Sequence, residues 1–377
     1  MNLKMVDTVG QYQKIKPEVT AAISNLLEKG FYIGGAAVKQ FEQNLGNYVG
    51  AAHTIACANG TDALQIALMA LGCKPGDEVL TPSFTYIATV EVIALLQLIP
   101  VFVEVNPDTF NIDVADLERK ITAKTKAIIP VHLYGQAADM QPIMEIAEKY
   151  NLGVVEDTAQ AIGADYTFAD GTQKKVGTIG HIGCTSFYPS KNLGAYGDGG
   201  AIFTNDANLA EKLRMICNHG QKTRYYHDSI GVNSRLDAIQ AAILDIKLQH
   251  LDEYNAARRW AASKYDAHFA GIEGLVTPVC AANAGHVFHQ YTLKVLAGRE
   301  KRDALKAFLD SQNIPSMIYY PVPSHLQTAY TCYGYKEGDM PDTETLTAQV
   351  ISLPIHTELT EEEIAYVAKY VIEGIEK

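Results

Sequence analysis

One lysine in a glycine-rich segment is the strongest chemical signal in the sequence. Lys191 follows an apolar run that ends in Ser-Phe-Tyr-Pro-Ser, and four of the seven residues from Gly194 to Gly200 are glycine. A lysine held in such a rigid turn can be desolvated, which lowers its pKa and frees the amine to form a Schiff base. A solvated lysine in a surface turn is the alternative, and Lys191 alone does not separate the two.

Two neighbouring carboxylates end another short apolar run. Glu156 and Asp157 follow Val154 and Val155, a pattern typical of a buried strand. One of the two carboxylates could keep a pyridine nitrogen protonated, which a pyridoxal cofactor requires if it is to act as an electron sink. An aspartate that caps the following helix is the alternative.

A turn with Gly60 and Thr61 links a predicted strand to a predicted helix over Asp62–Leu71. The free N–H groups of a helix start, the positive end of its dipole and the Thr61 hydroxyl would together form an anion site. An ordinary capped helix start explains the same residues equally well.

Other candidate ligand contacts stand in or beside segments that could form binding loops. They are Tyr86, Asn233, Arg235, Tyr319, Tyr320 and His325. A tyrosine after a strand could stack on a planar ring, and an amide or guanidinium could bind an anion. A core aromatic, a helix cap and a plain edge turn are the corresponding alternatives.

Competing chemistries find little support in the sequence. No dinucleotide-binding, P-loop, zinc-protease or nucleophile-elbow motif is present. His286 and His289 have ligand-like spacing but no acidic or cysteine partner nearby, so we predict a surface loop there and no metal site. The six cysteines form no CxxC pair and indicate reduced thiols in a cytoplasmic protein.

The elements around these residues predict an α/β fold. Helix patterns alternate with short β-branched runs, which indicates βαβ units and a mostly parallel sheet covered on both faces. Ligands in such sheets bind at the carboxyl ends of the strands. The first helix is predicted over Pro17–Lys29, with the proline in its first turn.

The pattern changes in the last third of the chain. Residues from Arg235 to about Phe269 predict one long helix, and Gln290–Val295 and Ser316–Tyr320 predict antiparallel strands. We therefore predict a large domain over residues 1–250 and a smaller α+β domain over residues 251–377.

Composition excludes several classes of protein. The chain has 377 residues, of which 47% are apolar, and a formal charge of −12, which predicts a folded, soluble protein. Its apolar runs are shorter than the roughly 20 residues of a membrane span, and its acidity argues against nucleic acid as a partner. Residues 212–227 carry four Lys or Arg and two His without an acid, and predict an anion funnel or a solvated helix end.

Taken together and in this order, these segments resemble the DegT-type sugar aminotransferases, which use pyridoxal 5'-phosphate to aminate keto-sugar nucleotides. The resemblance covers nearly the whole chain. The matching runs are Ala58–Leu64, Pro82–Tyr86, Glu156–Gln160, Ser186–Gly194, Gly197–Ala201, Asn233–Asp237 and Tyr320–Pro323.

The resemblance implies an aspartate-aminotransferase fold with a seven-stranded sheet and a role for each candidate residue. By the resemblance Lys191 carries the cofactor and shuttles the proton, and Asp157 pairs with the ring nitrogen. The implied cofactor contacts are completed by Gln160 at the ring hydroxyl, Tyr86 on the ring, and Gly60, Thr61 and Ser186 at the phosphate. Asn233 would reach the phosphate from the neighbouring subunit, which implies a homodimer with shared sites. The implied substrate contacts are Arg235, His219, Tyr319, Tyr320 and His325.

The resemblance also implies a reaction. L-glutamate is the usual amino donor in the family, and related dehydratases carry histidine where this chain has Lys191, so transamination is favoured over dehydration. The runs at residues 59–64, 121–136 and 219–221 look most like enzymes that aminate C3 of UDP-2-acetamido-2-deoxy-3-oxo-glucuronate. Enzymes acting on dTDP-3-keto-6-deoxyhexoses share much of this pattern, and Tyr319 departs from a histidine common at its position. The remaining alternatives are a catalytically silent, cofactor-binding regulator and a pyridoxal enzyme of another reaction type, such as a lyase or decarboxylase.

Overall fold

The computed structural model describes residues 3–377. Its α-helices are α1 (Thr8–Lys29), α2 (Gly35–Val49), α3 (Gly60–Leu71), α4 (Ala88–Leu95), α5 (Val114–Arg119), α6 (Met140–Tyr150), α7 (Ala207–Cys217), α8 (Ala238–Leu248), α9 (Leu251–Phe269), α10 (Arg299–Ser311), α11 (Pro341–Gln349) and α12 (Glu361–Glu376). Its strands are β1 (His53–Cys57), β2 (Glu78–Pro82), β3 (Ile99–Val103), β4 (Thr125–Ile128), β5 (Gly153–Asp157), β6 (Asp165–Thr167), β7 (Gln173–Lys175), β8 (Ile182–Ser186), β9 (Gly200–Thr204), β10 (Gln221–Thr223), β11 (Tyr226–His227), β12 (Leu275–Val276), β13 (Tyr291–Val295) and β14 (Val350–Leu353).

A seven-stranded sheet organises the fold, in the order β1-β9-β8-β5-β4-β2-β3. Strand β9 runs antiparallel to both of its neighbours, and the other adjacent pairs are parallel. The predicted mostly parallel, seven-stranded α/β sheet is therefore confirmed. Apolar side chains of α3 and α7 cover one face, and those of α6 cover the other.

The strand directions bring the candidate residues to one edge. Strand β1 runs in the same direction as β8, because β9 is antiparallel to both. The carboxyl ends of β1, β2, β4, β5 and β8 therefore open on the same side of the sheet, where parallel α/β folds bind ligands. The turn at Gly60, the loop with Tyr86, Asp157 and the segment with Lys191 follow four of these ends.

A second, antiparallel sheet of β12, β13 and β14 packs against α9, α10 and α12 around its own apolar cluster. The predicted strand at Ser316–Tyr320 is wrong, since the segment forms only one bridge, from Met317 to Ser352. The single long helix predicted from Arg235 is also wrong. The chain turns at Gln249 and His250, between α8 and α9. The domain division at residue 250 stays a prediction.

The N-terminal helix is longer than predicted. It begins at Thr8, where the Asp7 side chain caps it by accepting the Gly10 N–H at 2.9 Å. Pro17 therefore lies inside α1 rather than in its first turn, on an exposed face between buried Ile15 and Val19. None of the helices found in residues 3–377 is both long enough and apolar enough to cross a membrane.

Candidate active site

Lys191 begins a tight loop that follows β8, and residues 191–194 are called the lysine loop below. The Lys191 N–H donates to the Tyr188 carbonyl at 2.8 Å. A Cβ at Gly194 would lie 2.3 Å from the Pro189 carbonyl oxygen, so this turn accepts only glycine. The glycines recognised in the sequence thus shape the backbone that presents the lysine.

The environment of Lys191 changes its protonation. Desolvation lowers the pKa of Lys191 to about 8, while the Asp157 carboxylate acts in the opposite direction. A substantial fraction of the amine is therefore neutral near pH 8, and a neutral amine is the form that attacks a carbonyl. Lys191 is half-buried beside Asp157, which favours a desolvated amine over a fully solvated surface lysine.

The two carboxylates at the end of β5 have separate surroundings. Glu156 is fully buried and accepts the N–H groups of Gly177, Ile179 and Gly180 at 2.6–2.8 Å, as well as the Nε2–H of His132 at 3.0 Å. The His132 ring donates from Nε2, because its Nδ1 accepts a backbone N–H. These bonds occupy Glu156 in the interior of the fold.

Asp157 is the carboxylate that remains for a ligand. Its Oδ2 accepts the Thr89 hydroxyl at 2.9 Å, and its Oδ1 accepts the Ala159 N–H at 3.1 Å. No helix follows β5 directly, so Asp157 is not the N-cap that the alternative required. Its charge also acts on Lys191 and on Tyr320, which places the three side chains around one space.

The turn after β1 forms a cradle for an anion. Asn59 caps α3 by accepting the Asp62 N–H at 2.8 Å, so the first turn presents the N–H groups of Gly60 and Thr61, which have no helical partners. A Cβ at Gly60 would lie 2.7 Å from the Ser186 Cβ. The helix start and Ser186 therefore lie side by side, as a shared phosphate contact requires.

Aromatic residues line the opposite side of this space. Tyr86 is largely exposed, and its ring centroid lies 6.1 Å from that of Tyr320. The Gln160 amide donates to the Tyr320 hydroxyl at 3.1 Å, and the Tyr134 hydroxyl donates to the Tyr319 carbonyl. Burial raises the pKa of Tyr320 above its usual value, so its hydroxyl keeps its proton.

Three predicted contacts lie outside this cluster within the chain. His219, Asn233 and Arg235 are exposed, and among residues 3–377 neither the Asn233 nor the Arg235 side chain forms a hydrogen bond. Ser234, between them, is buried and accepts the Ala58 N–H at 3.0 Å. Ser234 therefore packs behind the turn that would bind the anion, and the side chains of Asn233 and Arg235 point away from it.

The predicted substrate contact His325 lies in the interior of the fold and stays a prediction. His325 is fully buried, and its Nδ1 accepts the Ser83 hydroxyl at 2.6 Å while its Nε2 donates to Glu344 at 3.1 Å. Burial holds the pKa of His325 below its usual value against the opposing effect of Glu344. Both ring nitrogens therefore have partners within the chain.

Two further expectations need correction. His286 and His289 do not lie in a surface loop, since both are buried in the segment that precedes β13. The basic stretch at residues 212–227 is partly neutralised, because Arg214 pairs with Glu42 and Lys222 with Glu211. Glu42 is distant in sequence, and Glu211 lies on α7 just before the stretch. The sequence of residues 212–227 by itself therefore could not show these ion pairs.

Several residues of the site were missed at the sequence level. Thr89, His132 and Tyr134 contact candidate residues but stand in runs with no recognisable chemical pattern. The one available signal was the position of His132 near the end of a β-branched run, at the edge where ligands bind. In the described part of the chain, no group of three or more His, Cys, Asp and Glu could hold a metal ion.

The geometry defines a class of enzyme. A desolvated lysine, a buried aspartate free to pair with a ring nitrogen, and a glycine-lined anion cradle fit a pyridoxal 5'-phosphate enzyme of the aspartate-aminotransferase fold. The chain belongs to the DegT/DnrJ/EryC1/StrS aminotransferase family, whose model matches residues 13–372. It is therefore a sugar-nucleotide aminotransferase that depends on pyridoxal 5'-phosphate.

Curated relatives match along almost the whole chain. A "pleiotropic regulatory protein" of Geobacillus stearothermophilus is 48% identical over 99% of this chain and 98% of its own length. A UDP-2-acetamido-2-deoxy-3-oxo-D-glucuronate aminotransferase of Pseudomonas aeruginosa is 45% identical over 94% of this chain and 95% of its own. A dTDP-3-amino-3,6-dideoxy-alpha-D-galactopyranose transaminase of Aneurinibacillus thermoaerophilus is 44% identical over 96% and 95%.

Solved structures share the fold. DesV of S. venezuelae, in complex with a ketimine intermediate, has a TM-score of 0.95 at 40% identity and covers 100% of this chain and 99% of its own. NtdA of Bacillus subtilis, with the cofactor PMP bound, has a TM-score of 0.89 at 32% identity over 99% of this chain and 83% of its own.

Proposed function

We propose that this chain moves an amino group from L-glutamate to the C3 ketone of UDP-2-acetamido-2-deoxy-3-oxo-glucuronate, in the synthesis of a cell-surface polysaccharide. The observation that carries the proposal is the desolvated Lys191 amine facing a buried Asp157 at the carboxyl edge of the sheet. When bound, pyridoxal 5'-phosphate supplies an electron sink for the carbon that loses or gains a proton.

The chain's own residues divide the work. Asp157, fixed by Thr89 and Ala159, keeps a free acceptor site on each oxygen and would hold the ring nitrogen in its protonated form. Lys191 moves a proton between the substrate carbon and the cofactor, a task suited to an amine whose pKa is about 8. These two residues are the proposed centre of the chemistry.

The remaining contacts hold the cofactor and the substrate in place. Gly60, Thr61 and Ser186 bind the phosphate, Tyr86 covers the ring face, and Gln160 lies by the ring hydroxyl. Gln160 is already oriented by two bonds, since its Oε1 accepts the Tyr134 N–H at 2.8 Å and its Nε2 bonds the Tyr320 hydroxyl. The proposed substrate contacts are Arg235, His219, Tyr319, Tyr320 and His325.

Relatives of both sugar classes stand at similar identity, 45% for the UDP-sugar enzyme and 44% for the dTDP-sugar enzyme. Overall identity therefore does not separate the two substrates. The runs at residues 59–64, 121–136 and 219–221 support the UDP-linked uronate. A dTDP-3-keto-6-deoxyhexose is the second candidate.

We also propose a homodimer with shared active sites. Phe31, Tyr32 and Ile33 expose 73%, 48% and 52% of their surfaces, and a contiguous exposed apolar segment marks a protein interface. Ile33 bridges to Asp237, next to the segment that directs Asn233 outward. A second copy placed on this surface would receive the Asn233 amide at its own phosphate site.

A panel of nucleotide sugars tests the substrate. UDP-2-acetamido-2-deoxy-3-oxo-glucuronate and dTDP-3-keto-6-deoxyhexoses would each be incubated with the enzyme and L-glutamate, and amination scored by mass. We expect the UDP-uronate to have the highest kcat/KM. Preferential amination of a dTDP sugar would select the second candidate, and no amination with intact cofactor binding would favour the silent regulator suggested by the name of one relative.

A further inference from the structure

A second buried lysine lies behind the lysine loop. Lys247 of α8 is 1% exposed, and its Nζ donates to the Gly194 carbonyl at 2.5 Å. The same Nζ lies 5.1 Å from the centroid of the Tyr196 ring. Within residues 3–377 no carboxylate forms a salt bridge with Lys247, and the one charge that acts on it is the cation of Arg258.

This arrangement is costly for the fold. An ammonium removed from water without a carboxylate is destabilising unless hydrogen bonds compensate it. Burial, with a smaller contribution from the Arg258 cation, lowers the pKa of Lys247 to about 8. A leucine at the same position would pack with the apolar residues Ile243, Leu244 and Leu248 of α8 without that cost. The presence of a lysine at position 247 is therefore better explained by the hydrogen bond from its ammonium to the Gly194 carbonyl than by packing.

The carbonyl that Lys247 holds is part of a constrained turn. Gly194 lies three residues after Lys191, and its Cα approaches the Pro189 carbonyl so closely that no side chain fits. The loop is anchored on its other side by Asn192, whose amide donates to the Asn255 side chain at 2.7 Å and to the Val287 carbonyl at 2.9 Å. Helix α8 and helix α9 thus hold the lysine loop from two sides.

We propose that Lys247 is a positioning residue for Lys191: its ammonium fixes the Gly194 carbonyl and with it the direction in which the lysine loop presents the Lys191 amine. The inference rests on the proposed role of Lys191 and is independent of which sugar is aminated. Lys247 touches neither the cofactor cradle nor Asp157, so it acts only through the loop.

The test compares Lys247→Met with a matched control, Lys294→Met, in the full-length chain. Lys294 is also buried and also donates to a main-chain carbonyl, that of Pro107 at 2.8 Å, but it lies in β13 and also pairs with Asp108 at 3.0 Å. Two readouts need no sugar: hydrogen exchange of the Lys191 and Ala195 amides, and the rate at which the apoprotein forms a Schiff base with added pyridoxal 5'-phosphate. Thermal unfolding reports whether each variant folds.

We expect Lys247→Met to accelerate exchange of both amides and to slow Schiff-base formation, each by about tenfold, as loss of a charged hydrogen bond predicts. Lys294→Met should leave both readouts within about twofold, and Lys247→Arg, which keeps a charged donor, should restore much of the loss. Unchanged readouts in a folded Lys247→Met protein would overturn the proposal. If that variant does not fold, rapid exchange of the same two amides in the parent chain would overturn it. A different preferred sugar would change neither readout.

Discussion

At the scale of single residues, the site depends on the different surroundings of similar groups. Glu156 and Asp157 are adjacent, yet Glu156 is saturated by three backbone N–H groups and His132, whereas Asp157 keeps acceptor capacity toward the site. Neighbouring residues of a strand point to opposite faces, which is why one carboxylate is structural and the other is available. The sequence showed the pair but could not assign these roles.

We expect Asp157→Asn to lower kcat by about 10²-fold or more, because a neutral amide no longer stabilises a protonated ring nitrogen. The protein should fold and still bind the cofactor at Lys191. The measurement is single-turnover amination. The control is Thr89→Val, which removes only the hydroxyl that donates to Asp157 and should lower the rate much less. Near-normal turnover in Asp157→Asn would contradict the assigned role.

The lowered pKa of Lys191 predicts a pH dependence. The rate at which the apoprotein forms a Schiff base with pyridoxal 5'-phosphate should rise with pH and level off above about 8, whereas an unperturbed lysine would titrate near 10.5. Because the unfolded chain binds this proton more tightly, the group makes stability rise with pH between these two values. A midpoint near 10.5 in the pH–rate profile would contradict the desolvated environment.

At the scale of elements, local patterns were the part that could be predicted. The helix predicted over Asp62–Leu71 and the strand predicted over Gln290–Val295 match α3 and β13 to within two residues, because the hydrophobic period that defines each is local to the chain. Contacts across the fold could not be predicted in the same way. His325 meets Ser83 across 242 residues, and Arg214 meets Glu42 across 172.

The Ser83–His325–Glu344 chain ties the segment with Tyr319 and Tyr320 to the end of β2. The Ser83 hydroxyl donates to His325 Nδ1 and also accepts the His325 N–H, so Ser83→Ala leaves two buried groups without partners. We expect a loss of about 1–3 kcal/mol in the free energy of unfolding, measured in urea. The exposed local bond of Thr331 provides the control, and Thr331→Ala should change stability by less than about 0.5 kcal/mol. If Ser83→Ala and Thr331→Ala changed stability equally, the Ser83–His325–Glu344 hydrogen bonds would not anchor the segment with Tyr319 and Tyr320.

At the scale of the whole molecule, the net charge of −12 conceals where the positive groups lie. The basic stretch at residues 212–227 is partly paired with acids, while buried Lys247 and Arg258 have no carboxylate partner in the described chain. The overall acidity therefore does not oppose an anionic ligand at the edge of the sheet. Charge distribution of this kind required the fold and could not be read from a linear stretch.

The proposed dimer makes a prediction about mixed subunits. Lys191→Ala and Asn233→Asp should each be nearly inactive, the first without its amine and the second because a carboxylate repels the phosphate. When the two variants are refolded together in equal amounts, half of the dimers should be mixed. Each mixed dimer has one intact site, which combines Lys191 of one subunit with Asn233 of the other. The mixture should therefore recover about a quarter of the parent activity. If each chain builds its whole site alone, the mixture would stay inactive.

The most direct test of the central claim is the half-reaction with L-glutamate, followed by absorbance and by 2-oxoglutarate release. The account predicts that glutamate abolishes the lysine–cofactor absorbance band and yields one 2-oxoglutarate for each site, and that Lys191→Ala shows no such band. A band that persists with glutamate, or that survives unchanged in Lys191→Ala, would contradict it.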